Sequence, residues 1–132
     1  MNILIADPDW RFAQQAGQYL EERADNVSYQ NSILAAIAQV NRGQTDLVIL
    51  AAELAEDSLV QAIYNLPSRP AILLTDHMDR FDRAWRVWQK CGDELLMKPM
   101  LRTEELHGEI VAAMENAAAG TIMRHKQIAA SA

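Results

Sequence analysis

The chain has 132 residues; half of them are hydrophobic, 23% are charged, and the formal net charge is −6. These values predict one globular domain with a packed core, and the acidic balance disfavours direct nucleic-acid binding. No apolar run approaches the ~20 residues that a bilayer-spanning helix needs, so we expect no membrane contact and a cytoplasmic location. The lone cysteine, Cys91, excludes an internal disulfide and fits a reducing compartment.

The first half of the chain alternates short apolar runs with helical patterns. Strands are predicted at residues 2–6, 27–30 and 46–50. Asp9 can cap a helix that runs to about residue 22, and Asn31 or Ser32 caps a second helix that Gly43 ends. The first strand carries an acid, Asp7, at its carboxyl end.

The third strand is predicted to lie at the centre of a sheet, because residues 47–50 are consecutive aliphatics without polar alternation. Such a run is typical of a strand that helices cover on both faces. In an open parallel sheet, reactive groups gather just beyond the carboxyl ends of the strands. That position is held here by Ala51, followed by Ala52. Neither side chain can accept a phosphoryl group, bind a metal or move a proton.

The second half continues the same alternation. The pattern predicts a helix at about residues 57–66, a strand at 69–75, a helix at 79–90, a strand at 94–97 and a helix at 103–120. The fourth strand ends in a hydroxyl, Thr75, and the fifth is followed at once by Lys98 and Pro99.

Five strands that alternate with five helices require right-handed crossovers and a parallel sheet. We therefore predict an α/β fold: a flavodoxin-like, doubly wound (βα)5 domain with a five-stranded parallel sheet in the order 2-1-3-4-5. The domain is expected to span residues 1–119. Residues 120–132 are predicted to be a tail, a frayed helical extension or a linker.

An acid, a hydroxyl and a Lys–Pro pair stand at three of the predicted strand ends, as Asp7, Thr75 and Lys98–Pro99. Together with the run Asp46–Leu50, this order resembles the receiver domain of two-component response regulators, in the CheY-like superfamily. The resemblance covers about residues 2–119. It implies a site where an aspartate after the third strand accepts a phosphoryl group and acids hold a divalent cation. The lysine and the hydroxyl would then bind the phosphoryl oxygens.

The sequence departs from the receiver pattern at essential positions. Ala51 stands where the phospho-accepting aspartate is expected, and Pro8 takes the place of the second acid, with Asp7 and Asp9 on either side. Leu95 replaces the aromatic residue that usually acts as a rotamer switch in the fifth strand. We therefore expect no bound metal, no cofactor and no enzymatic activity.

Two interpretations of the retained polar residues stay open. Lys98 can pair with Asp7 and Thr75 can satisfy a strand-end group, which is a structural role, or the three can form an anion site. The position two residues beyond Ala51 is Glu53, which either mimics a phosphoryl charge or is a solvated loop residue. For Asp7, Thr75 and Lys98 we prefer the structural role. For Glu53 we prefer the interpretation as a solvated loop residue.

The resemblance favours a non-phosphorylatable pseudo-receiver that serves as a protein–protein interaction or regulatory module in bacterial signalling or transcription control. The alternative is a small-molecule or anion sensor that uses the remnant pocket. The partner would be an output domain, a kinase or another regulator, and a homodimer is a further option.

The usual contact face of receiver domains combines the fourth helix, the fifth strand and the fifth helix. Its candidate residues here are Phe81, Trp85, Trp88, Leu95, Leu101 and Leu106. The three aromatic residues recur at helical spacing, which fits either a core stripe or a contact site. The core interpretation is preferred. Trp10, beside Pro8, is expected to cover the remnant pocket.

Overall fold

The computed structural model of the chain describes residues 1–23, 26–100 and 102–131, with the backbone alone for 121–131. The strands are β1 (Asn2–Ala6), β2 (Asn26–Gln30), β3 (Leu47–Ala51), β4 (Ala71–His77) and β5 (Glu94–Lys98). The helices are α1 (Trp10–Glu21), α2 (Ile33–Asn41), α3 (Asp57–Tyr64), α4 (Phe81–Lys90) and α5 (Thr103–Ser131). Two short 3-10 turns, Ala52–Leu54 and Met78–Arg80, follow β3 and β4.

All strand pairs are parallel, and the sheet order is β2-β1-β3-β4-β5. This confirms the predicted α/β flavodoxin-like topology. The central strand β3 is buried along its whole length, as its unbroken aliphatic run predicts. The carboxyl ends of β1, β3, β4 and β5 therefore meet at one edge of the sheet.

Helices cover both faces of the sheet, and each face has its own core. Alternate strand residues such as Ile3, Ile49 and Leu73 pack against α1 and α5, and their neighbours pack against α2, α3 and α4. Leu106 of α5 is fully buried in the first of these cores. The prediction that Leu106 belongs to an interaction face is therefore wrong, because its position in the first turn of α5 points it towards the sheet.

The starts of α1 and α2 agree with the predicted caps, whereas the end of α5 differs from its predicted position. Asp9 and Ser32 cap α1 and α2, accepting hydrogen bonds from the backbone N–H groups of Phe12 and Ala35. The last helix does not end at Gly120 but continues to Ser131, so of the options given for the tail the helical extension is the one that forms. The alanine-rich stretch around Gly120 has a high intrinsic helix propensity, which explains the continuation. None of the helices in the described part of the chain has the length and apolar character needed to span a bilayer.

Gly92 ends α4 in a conformation that only glycine adopts without strain. Its φ is +97°, and a Cβ built at this position would lie 2.5 Å from Cδ1 of Leu74, which is fully buried. Gly92 thus allows the chain to turn tightly from α4 into β5 against the core.

We predict that Gly92→Ala lowers the free energy of unfolding by about 1–3 kcal/mol, through the strained φ and the contact with Leu74. Urea unfolding followed by circular dichroism measures the change. Gly108→Ala is the matched control, because Gly108 lies in α5 with nothing near the added methyl, and it should stabilise by up to about 1 kcal/mol. Equal effects of the two variants would contradict the role assigned to Gly92.

Candidate functional site

The four strand ends at the carboxyl edge bring together residues that are far apart in the sequence. Asp7 follows β1, Ala51 ends β3, Thr75 lies near the end of β4 and Lys98 ends β5. Ala51 pairs in register with Thr75 across β3 and β4. These four residues of the predicted pocket thus lie at the same edge of the sheet.

Asp7, Thr75 and Lys98 form a buried polar cluster, with exposed fractions of 5%, 0% and 3%. The hydroxyl of Thr75 and the ammonium Nζ of Lys98 both donate to Asp7 Oδ2, each at 2.9 Å. The backbone N–H of Asp9 donates to the other carboxylate oxygen, Oδ1, at 2.8 Å. Both oxygens of Asp7 are therefore occupied by donors, as a buried carboxylate requires.

Asp9 joins this cluster from its rim. Its Oδ1 accepts from the N–H of Phe12 at 3.2 Å, and its Oδ2 lies 3.5 Å from Nζ of Lys98 and 3.5 Å from Nε2 of His77. Burial alone would raise the pKa of Asp9, but the Phe12 N–H and the charges of Lys98 and His77 outweigh burial and lower it. Asp9 is therefore ionised at neutral pH and shares the positive charge of Lys98 with Asp7.

Ala51 is 2% exposed and pairs in register with Thr75, so a buried methyl group lies at the end of β3 beside the cluster. Pro8, Glu53 and Pro99 are exposed around it, and the Lys98–Pro99 peptide bond is cis. The four residues that contact one another, Asp7, Asp9, Thr75 and Lys98, were all predicted from the sequence.

The cluster does not fit the divalent cation of receiver chemistry. Mg²⁺ takes carboxylate oxygens and keeps several waters. Here the ammonium of Lys98 lies against one carboxylate oxygen of Asp7 and faces Asp9, and Thr75 donates to the same Asp7 oxygen. In the described ranges, no group of three or more His, Cys, Asp or Glu side chains is placed to hold a metal.

An ion pair between Asp76 and Arg83 was missed by the sequence analysis. β4 extends to His77, two residues further than predicted, because Asp76 and His77 pair in register with Met97 and Lys98 of β5. Arg83 of α4 donates from Nε to Asp76 Oδ2 at 2.9 Å and from a terminal nitrogen to Oδ1 at 2.5 Å. Burial raises the pKa of Asp76, but Arg83 and the His77 N–H outweigh it and lower the pKa. The sequence signal for this ion pair is an acid directly after the predicted fourth strand, with an arginine seven residues later.

The aromatic residues of α4 are less buried than predicted. Phe81 and Trp85 are 53% and 44% exposed, and Trp88 is half-buried against the core. The rings of Phe81 and Trp85 stack with centroids 6.4 Å apart, and Trp85 meets Trp88 edge-on at 5.4 Å. The expectation that all three are core residues is wrong for Phe81 and Trp85, because Ala84, with help from Trp88, fills the inward stripe of the helix. We call Phe81 and Trp85 the aromatic ridge.

Beside the ridge lies a depression, whereas the other residues predicted for the contact face and the pocket cover do not join it. An open depression of about 570 Å³ is lined by Phe81, Asp82, Trp85 and Arg86. Leu95 is half-buried and packs against the core on the α4 side, and Leu101 lies outside the described residues. Trp10 is 70% exposed and lines a separate depression with Asp7 and Pro8, so it flanks the cluster and does not close it.

No protein-family model matches the sequence, and no curated protein is significantly similar to it. Solved structures do match. The signal receiver domain of a putative LuxO repressor protein from Vibrio parahaemolyticus is 17% identical, with a TM-score of 0.71, and the match covers 92% of this chain and 95% of that chain. A two-component response regulator from Clostridium difficile is 20% identical, with a TM-score of 0.70 and coverages of 87% and 96%. NtrX from Brucella abortus, solved with ADP, is 15% identical, with a TM-score of 0.78 over 96% of this chain and 29% of that chain.

These likenesses show that the chain has the fold of receiver domains of two-component response regulators. The fold prediction is confirmed. The likenesses extend to the fold alone. The descriptions of Ala51 and of the buried polar cluster rest on this chain's own structure.

We predict that Lys98→Met lowers the free energy of unfolding by about 3–5 kcal/mol, because it leaves the buried carboxylate of Asp7 without its cation. The double variant Asp7→Asn/Lys98→Met should be less destabilised than the sum of the two single variants by about 1–3 kcal/mol. Urea unfolding of the wild type and all three variants gives this coupling energy. Lys90→Met, at an exposed lysine of α4, is the control and should change stability by less than about 0.5 kcal/mol. Additive effects would show that the two charges do not depend on each other.

Proposed function

We propose that this chain is a pseudo-receiver: a signalling module that keeps the receiver fold, does not accept a phosphoryl group and acts through protein–protein contacts. The observation that carries the proposal is the buried methyl group of Ala51 at the end of β3. Phosphoryl transfer to a receiver requires a nucleophilic carboxylate oxygen at that strand end, and a methyl group has no lone pair to attack with.

The charge balance of the buried polar cluster supports the same proposal. Lys98 is neutralised by Asp7 at 2.9 Å and by Asp9 at 3.5 Å, and Thr75 donates to Asp7. Asp7 and Thr75 thus satisfy each other's hydrogen-bonding groups within the fold, without a metal or a phosphoryl group. This pairing also gives less support to the alternative, a sensor that would bind its ligand through Lys98, Thr75 and Asp7, because Asp7 and Thr75 already hydrogen-bond to each other.

We expect acetyl phosphate with Mg²⁺ to leave the mass of the intact protein unchanged, because no acceptor carboxylate lies at the end of β3. Beryllofluoride with Mg²⁺ should likewise leave the tryptophan fluorescence and the amide NMR spectrum unchanged. A receiver domain that retains its aspartate, treated in parallel, shows that the reagents are active. A stable adduct of one phosphoryl group on any carboxylate of this chain would refute the proposal.

The aromatic ridge supports α4 as the contact face of the module. Large exposed aromatic side chains are rare on surfaces that contact only water, and they often carry most of the energy of a protein–protein contact. Phe81 and Trp85 lie on one side of α4, with Asp82 and Arg86 beside them to supply polar contacts at the rim. We infer that an output domain, a kinase, another regulator or a second copy of the chain binds there.

We predict that Phe81→Ala/Trp85→Ala abolishes association and lowers the free energy of unfolding by about 1–3 kcal/mol, because the side chains are 53% and 44% exposed and Trp85 also contacts Trp88. Sedimentation velocity reports pairing of two copies. Quantitative mass spectrometry of cross-linked proteins from the source cells reports other partners. Leu34→Ala is the matched control, since Leu34 is an 81% exposed apolar residue on α2. Association that survives the double variant, or falls equally with Leu34→Ala, would rule out the ridge.

A further inference from the structure

A second cavity opens beside the buried polar cluster, between the first turns of α1 and the connection from β5 to α5. Its volume is about 320 Å³, at the lower end of the range for small-molecule sites. The residues that matter for its chemistry are Asp9, Arg11, Phe12, His77, Lys98 and Met100. It lies next to the cluster and uses neither Ala51 nor Thr75.

Lys98 reaches this cavity with hydrogen-bonding capacity to spare. Its ammonium has three N–H groups, and the side chain is only 3% exposed. Among the described residues, one acceptor, Asp7 Oδ2, lies at 2.9 Å, and the next carboxylate oxygen, Asp9 Oδ2, lies at 3.5 Å. Nζ also lies 5.1 Å from the ring centroid of Phe12. A buried cation with one short hydrogen bond is a strong donor for an anion that reaches it.

The charges around the cavity favour an anion as well. Arg11 is exposed at the rim, His77 is half exposed, and Lys98 lies at the inner wall; Asp9 is the only acid among the lining residues. Two cations, Arg11 and Lys98, thus lie at the cavity in a chain with a net charge of −6, and the ring of His77 can donate a further hydrogen bond. A carboxylate that enters here would replace the 3.5 Å contacts of Asp9 with shorter hydrogen bonds from Lys98 or His77.

The floor of the cavity is apolar. Phe12 and Met100 are 4% and 6% exposed and present a ring and a thioether to the opening, next to Pro99. Apolar walls with a few charged or polar groups are typical of sites for small organic ligands, and a fully hydrated inorganic ion gains nothing from such a floor. The ligand should therefore combine a negative group with an apolar body.

We propose that this cavity binds a small organic anion, a carboxylate attached to an aromatic or other flat apolar body. The carboxylate is held by Lys98, His77 and Arg11, and the apolar body packs on Phe12 and Met100. The site does not depend on phosphorylation, so it stands or falls separately from the pseudo-receiver proposal.

The test uses the full chain with ¹³C-labelled methionine methyl groups, and Met100 is assigned with the variant Met100→Leu. The probe is 2-naphthoate; its neutral isostere 2-naphthamide and inorganic phosphate are the comparison compounds. We expect 2-naphthoate to shift the Met100 methyl signal with saturation. The amide should bind about tenfold more weakly or worse, and phosphate should leave Met100 unchanged.

Two charge-reversal variants distinguish a local effect at the cavity from a change in the electrostatic field of the whole protein. Arg11→Glu should weaken 2-naphthoate binding by about tenfold or more. Arg42→Glu, at an exposed arginine after α2 that lines a different depression, should leave it unchanged. The proposal is overturned by the lack of a saturable Met100 shift, by equal binding of the acid and the amide, or by equal losses in the two variants.

Discussion

The buried ion pair between Asp7 and Lys98 is the interaction on which the rest of this site depends. It joins the first and last strands of the fold across 91 residues of sequence, and both side chains are almost fully removed from water. Removing either partner would leave an unpaired charge in the interior, which costs far more than the net value of the pair. The cost of breaking the pair gives a structural reason for an acid and a lysine at these strand ends, and this reason does not require phosphoryl chemistry.

Much of the fold could be predicted because its signals are local. The unbroken aliphatic run of β3 indicated a strand covered on both faces, and the alternation of strands and helices indicated parallel pairing. Asp9 and Ser32 were identifiable as helix caps from their position before apolar-periodic segments. The members of the buried polar cluster were also predictable, since residues at the carboxyl ends of neighbouring parallel strands must meet at one edge of the sheet.

The features that could not be predicted depend on how elements are placed relative to one another. Periodicity shows that Phe81, Trp85 and Trp88 share a side of α4, but the rotation of the helix on the sheet decides which of them reach the core. Only Trp88 does so substantially, because Ala84 occupies the line of closest approach. Leu106 was misjudged for the same reason. Likewise, the length of β4 is set by its register with β5, so the pairing of Asp76 with Arg83 emerges only when both strands are in place.

The Asp76–Arg83 pair links the buried polar cluster to the aromatic ridge. Asp76 follows Thr75 of the buried polar cluster, and Arg83 lies two residues after Phe81 and two before Trp85 of the aromatic ridge. Two hydrogen bonds from the guanidinium to a carboxylate that is 2% exposed define both the distance and the orientation between the end of β4 and the first turn of α4. In a domain whose β3 ends in a methyl group, phosphorylation at that position has no means of moving α4. The orientation of the ridge then follows from this ion pair. Under the proposed function, the surface for a partner is therefore already formed in the folded chain and does not require a chemical signal at Ala51.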